Sequence, residues 1–160
     1  MNIDMRPLAE RLIAEATSRN ITISFAESCT GGLIAGSVTD VSGASKVFLG
    51  SAVTYSNEAK ISILGVDPQI INDFGAVSSQ CAEKMAEGAR RIFKSDIALS
   101  VTGIAGPDGG SEEKPVGTVW FGISQSGRTY TFEKIFGGER ALIRSSAVET
   151  ALISLIERMK

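Results

Sequence analysis

Apolar positions recur at helical spacing near the start of the chain, where Leu8, Leu12, Ile13 and Ala16 share one stripe behind Pro7, a residue suited to a first helical turn. The pattern predicts a helix over 7–19. The period then changes: Ile21 to Ala26 alternates large apolar with small polar residues and is β-branched, which predicts a strand running directly into Glu27-Ser28-Cys29-Thr30-Gly31-Gly32. Small residues with Leu33, Ile34 and Val38 predict a closely packed helix from Gly31 to Thr39, with Thr30 as its N-cap. Val47 to Tyr55 predicts a second strand. Ser56-Asn57-Glu58 then offers capping chemistry for a helix holding Lys60, Ile61, Ile63 and Leu64, which Gly65 stops. Pro68 to Phe74 predicts a short helix. Ser78 to Phe93 is the clearest amphipathic pattern, with a Ser78 cap and Ala82, Met85, Ala86, Ala89 and Ile92 along one face.

Asp96 to Val101 is short and apolar, as a buried strand would be, and it ends in Thr102-Gly103-Ile104-Ala105-Gly106-Pro107-Asp108-Gly109-Gly110, too rich in glycine for regular structure. Val116 to Ser124 and Arg128 to Phe136 flank Gln125-Ser126-Gly127 and predict a β-hairpin, with Trp120 in the core. Glu139 to Met159 closes the chain as a long helix. Helices alternating with strands and then a hairpin predict the α/β class: a single layered domain, a mixed sheet with helices on its faces, and a C-terminal β-hairpin followed by a long helix. No repeat, low-complexity tract or linker divides the chain, so residues 1–160 read as one domain.

Composition then removes function classes. Sixteen Lys and Arg against eighteen Asp and Glu give a net charge of −2, which argues against a nucleic-acid partner. The chain has no histidine, and so no Ser-His-Asp or Cys-His pair and no H-E-x-x-H metalloprotease site. Cys29 and Cys81 are too far apart for a C-x-x-C motif and read as reduced thiols, so no metal and no cofactor is expected. The N-terminus is not a signal peptide and no apolar stretch reaches the roughly 18 residues of a membrane span, so the expected location is cytoplasmic, with no membrane partner. Mean hydropathy slightly above zero hints at apolar surface kept for a second subunit, and a homo-oligomer is expected.

Three segments lie where predicted strands end, the place where ligands gather in open α/β sheets. In Glu27-Ser28-Cys29-Thr30-Gly31-Gly32, a serine on a sharp strand-to-helix turn can present its hydroxyl while helix-start N–H groups stabilise negative charge; the alternative is a capping turn in which Ser28 and Thr30 only satisfy helix N–H groups. In Thr54-Tyr55-Ser56-Asn57-Glu58-Ala59-Lys60, Lys60 or Tyr55 is the natural group to take a serine proton where histidine is absent, the lysine if partial burial or a neighbouring cation lowers its pKa. A solvated lysine and a core tyrosine ring are the plain alternatives. Thr102 to Gly110 followed by Lys114-Pro115-Val116-Gly117-Thr118 has backbone N–H groups able to approach an anion but fits neither a P-loop nor G-x-G-x-x-G. Arg140 and Arg144, at i and i+4 on the last helix, can clamp a phosphate or can stand as surface arginines behind a Glu139 cap. Cys29 reads as a small buried thiol.

Taken together, Ala26-Glu27-Ser28-Cys29-Thr30-Gly31-Gly32, Val53 to Lys60, Gly75-Ala76-Val77-Ser78 and Thr102 to Gly110, with Lys114-Pro115-Val116-Gly117-Thr118-Val119-Trp120, closely resemble the C-terminal domain of the CinA competence/damage-inducible family, in order and over essentially the whole chain. The resemblance implies a nicotinamide-nucleotide amidase of the PncC type, hydrolysing the carboxamide of nicotinamide mononucleotide to nicotinate mononucleotide and ammonia. Because the chain begins directly with helix one, it looks like the stand-alone amidase form. By motif position Ser28, Tyr55 and Lys60 carry the catalytic resemblance. For the oxyanion, N–H groups at Cys29 to Gly31 or from Thr102 to Ala105 are the alternatives; for the phosphate, Gly106 to Gly110, Lys114 and Arg140. Substrate binding is therefore expected from Thr30, Gly31, Thr102, Gly103, Ala105, Gly106, Gly109, Lys114 and Arg140. The competing class is a non-catalytic regulatory module that holds a phosphorylated nucleotide on the same loops.

Overall fold

A computed structural model describes residues 3–160. Five strands form one sheet in the order β2-β1-β3-β4-β5: β1 Ile23–Glu27, β2 Phe48–Val53, β3 Ile97–Gly103, β4 Thr118–Gln125 and β5 Arg128–Ile135. β1 pairs in parallel with β2 and β3, whereas β4 and β5 are an antiparallel hairpin added to the far side of β3. The mixed α/β sheet with a C-terminal hairpin is the predicted class.

Two different helical layers cover it. Helices α1 (Arg6–Ser18), α2 (Leu33–Thr39) and α6 (Arg140–Arg158) bury Ile23, Phe25, Leu99, Val101, Val119, Phe121 and Ile123 on one face. On the other face lies α5 (Ser79–Phe93), flanked by α3 (Asn57–Leu64) and α4 (Pro68–Phe74), over the small residues Ser24, Ala26, Ala98, Ser100 and Gly122. Small-on-small packing brings α5 very close: the Ser100 hydroxyl donates to the Ala82 carbonyl at 2.6 Å, and a Cβ on Gly122 would stand 2.5 Å from that same oxygen. A 3-10 turn, Ala44–Lys46, leads into β2. No helix among the described residues is long and apolar enough to cross a membrane.

Several predicted details shift. Ser56 and Ser78 cap α3 and α5 through their side chains as expected, but Thr30 does not cap α2: Gly32 stands at that position in the left-handed region, and the Thr30 hydroxyl turns back to Glu27. Glu139 stands at the N-cap of α6 without a side-chain bond. Ile92 is exposed at the end of α5, and Trp120 is half-buried rather than core, because it sits on the α5 face of β4 while its neighbours Val119 and Phe121 point into the main core. β3 continues through Thr102 and Gly103, since the hairpin strand β4 pairs with it to that point.

Candidate active site

The carboxyl ends of β1, β2 and β3 lie side by side, Glu27 in register with Val53 and with Val101, so the three sequence segments meet at one edge of the sheet. The start of α6 joins them there, because β5 returns the chain to the same edge before Arg140.

Ser28 follows the last residue of β1, and its N–H is held by the Val101 carbonyl at 3.0 Å. Lys60, in the first turn of α3, points back into the protein and is only 1% exposed. Its Nζ is 3.0 Å from Ser28 Oγ, and it also donates to the carbonyls of Thr54 at 2.7 Å and Tyr55 at 3.3 Å. No carboxylate among the described residues forms an ion pair with it. Burial therefore pushes the amine below its usual lysine value. Cys81 and Cys29 pull the other way, but only as thiolates; burial raises both thiols to about 11, so near neutrality they are protonated and desolvation prevails. A neighbouring cation is not what lowers Lys60, contrary to one of the two routes open from the sequence.

Tyr55 is placed differently. Its carbonyl faces Lys60, while the residue is 64% exposed and its hydroxyl stands 3.4 Å from Arg140 Nη2. Arg140 also donates to the Gly106 carbonyl at 2.7 Å, which ties the glycine loop to the start of α6. Arg144 donates instead to the carbonyls of Cys29 and Thr30, at 3.0 and 3.3 Å, from behind the Ser28 turn. The two arginines share a cleft of about 740 Å³ lined by Ala105, Pro107, Val116 and Gly138. Lys114 is not part of that cleft: its ammonium caps the end of α4 at the Phe74 carbonyl, 2.6 Å away. The Thr102 hydroxyl is spent on the Ala76 carbonyl, and Gly103 packs against Val119 and Thr118 so closely that a Cβ would collide. Gly109 lies on the exposed part of the loop.

Among the N–H groups expected to receive an oxyanion, Gly31 donates to the Ser28 carbonyl and Ile104 to Thr118, whereas those of Cys29, Thr30 and Ala105 have no acceptor among the described residues. What the sequence reading passed over is Glu27. Completely buried, its carboxylate accepts from the Thr30 hydroxyl, the N–H groups of Ile34 and Ala35, and the Ser51 hydroxyl, at 2.8 to 3.1 Å. It is the true cap of α2, supplied from the strand before the turn, and it fixes the turn that carries Ser28. An acidic residue at the end of an apolar strand was the available signal. No group of three or more His, Cys, Asp and Glu among the described residues is arranged to hold a metal.

The sequence model of the CinA C-terminal domain matches residues 5–159. A CinA-like protein of Endomicrobium trichonymphae is 48% identical over 151 residues, covering 94% of this chain and 35% of its own length; one from Fervidobacterium nodosum is 53% identical over 125 residues, covering 78% and 31%. The chain thus spans about a third of these curated relatives. The crystal structure of a competence/damage inducible protein from Agrobacterium tumefaciens superposes with a TM-score of 0.94 at 45% identity, covering 97% of this chain and 95% of that one. By sequence over nearly all of its length, and by fold, the chain belongs to the CinA C-terminal domain family.

Proposed function

We propose that the chain is an amide hydrolase that converts nicotinamide mononucleotide to nicotinate mononucleotide and ammonia, with Ser28 as nucleophile and Lys60 as base. The observation that carries the proposal is the 3.0 Å contact between a buried lysine amine and a serine hydroxyl on a strand-to-helix turn. A neutral amine has two N–H bonds and one lone pair; the carbonyls of Thr54 and Tyr55 accept the two N–H bonds, so the lone pair is left to the Ser28 hydroxyl. The nucleotide substrate is supported by the family resemblance and by the Arg140 guanidinium in the neighbouring cleft.

In the first half-reaction Ser28 Oγ bonds to the carboxamide carbon as its proton passes to Lys60. The tetrahedral intermediate then breaks its C–N bond, and Lys60 returns the proton to the leaving nitrogen, giving ammonia and an ester on Ser28. In the second, water adds to the ester carbon, Lys60 takes the water proton and passes it to Ser28 Oγ, and nicotinate mononucleotide departs. Tyr55 and Arg140 line the approach, with Arg140 facing the substrate phosphate.

The test is ammonia release by purified protein from nicotinamide mononucleotide, with nicotinate mononucleotide as blank, compared with Ser28→Ala. The variant keeps its thermal transition and loses about three orders of magnitude or more in kcat. Near-normal turnover by Ser28→Ala, or no ammonia from the unaltered chain, sinks the proposal.

A further inference from the structure

Arg140 and Arg144 stand one turn apart on α6 and invite a single shared role, yet their hydrogen bonds divide them. Arg140 reaches the Gly106 carbonyl and the Tyr55 hydroxyl. Arg144 binds the peptide chain of the nucleophile turn itself, Nε to the Cys29 carbonyl and Nη2 to the Thr30 carbonyl. The approach is close: Gly31 is left-handed at φ +57°, and a Cβ there would stand 3.2 Å from Arg144 Nη2.

In a trans peptide unit the C=O and the following N–H point in opposite directions. Drawing the Cys29 carbonyl toward Arg144 therefore turns the Thr30 N–H away from the guanidinium, and that N–H has no acceptor among the described residues. Glu27 meanwhile occupies the Ile34 and Ala35 N–H groups further along, so they do not compete for an incoming anion. A hydrogen bond to a charged donor on one side of a peptide also polarises the N–H on the other, which strengthens it as a donor.

We infer that Arg144 is a positioning residue that orients and polarises the Cys29–Thr30 peptide so that the Thr30 N–H receives the oxyanion formed when Ser28 attacks. The inference rests on Ser28 being the nucleophile but not on which amide is hydrolysed.

A fluorophosphonate probe separates the two. Ser28 Oγ bonds to phosphorus, fluoride leaves, the serine proton passes to Lys60, and the charge developing on the phosphoryl oxygen needs the same N–H donors as an acyl intermediate. Labelling at Ser28 is followed by intact mass, and binding of nicotinate mononucleotide by calorimetry. Arg144→Gln slows labelling by about 10- to 100-fold while product affinity stays within about threefold; Arg140→Gln does the reverse. If Arg144→Gln has no thermal transition, Arg144→Lys, which keeps the charge and loses the fork, replaces it and labels at an intermediate rate. Labelling at the original rate, or an equal fall in labelling and product affinity, overturns the inference. Arg144-sensitive labelling in a protein that releases no ammonia from nicotinamide mononucleotide overturns the substrate instead, and failure to label Ser28 in the unaltered protein overturns both.

Discussion

A lysine amine at 1% exposure with no anionic partner costs least when it gives up its proton, and Lys60 is built for that form. Activity accordingly falls on the acid side, with an apparent pKa below the ordinary lysine value of about 10.4. Lys60→Arg keeps a cation of similar reach but cannot deprotonate, so it binds product and scarcely turns over; a pH profile without an acid limb, or an active arginine variant, removes Lys60 from the role of base. The same burial has a stability signature. Because the folded amine holds its proton less tightly than the unfolded one, the unfolded chain carries more bound proton between the lowered and the ordinary pKa. Stability relative to Lys60→Met therefore rises with pH through that window. Glu27 poses the complementary case. In Glu27→Gln an NH2 replaces one carboxylate oxygen and faces one hydroxyl, which can turn to accept, and one backbone N–H, which cannot, and this costs about 1–3 kcal/mol in urea unfolding. The looser turn lowers kcat more than it changes KM. A variant with unchanged stability and kcat would mean that the carboxylate neither caps α2 nor holds the serine.

At the scale of elements, α5 packs very close to its neighbours. A Cβ on Gly88 would stand 2.2 Å from the Leu64 carbonyl, at the end of the helix that carries Lys60. In an open helix Gly→Ala is stabilising by nearly 1 kcal/mol; here Gly88→Ala forces α3 and α5 apart, lowers stability by about 1–3 kcal/mol or more and displaces Lys60. A higher melting temperature in that variant would contradict the packing. This contact also explains what the sequence disclosed and what it concealed. Periodicity, serine caps and glycine stops located the six α-helices and five strands, while the Ala44–Lys46 turn left no such signal. The alternation of large and small residues in β1 ordinarily marks one wet face, but both faces are covered, and the small one marks where a helix comes close. The serine turn and the lysine were legible as candidates because both follow strand ends. Their contact was not, since it depends on α3 turning its first residues back toward β1. Glu27 escaped for a similar reason: a residue that caps a helix from seven positions upstream matches no local capping pattern.

At the scale of the whole molecule the cleft is assembled from distant parts, with Arg140 and the Gly106 loop brought together by the hairpin between them. If Arg140 holds the phosphate, Arg140→Ala damages turnover of the nucleotide far more than that of the corresponding nucleoside; an equal loss on both places it in the fold or the chemistry instead. Arg144 lies 115 positions beyond Cys29, and a contact of that separation forms late, since the chain between must first be ordered. The parallel strands can thus pair while the serine turn still lacks its arginine. During refolding from urea, amides of β1 and β3 gain protection against hydrogen exchange before Ser28 regains fluorophosphonate reactivity, whereas simultaneous recovery would mean that α6 docks together with the sheet. On the proposed mechanism, a chain caught in that interval would have its architecture but not its chemistry, and the docking of the last helix would be what switches the serine on.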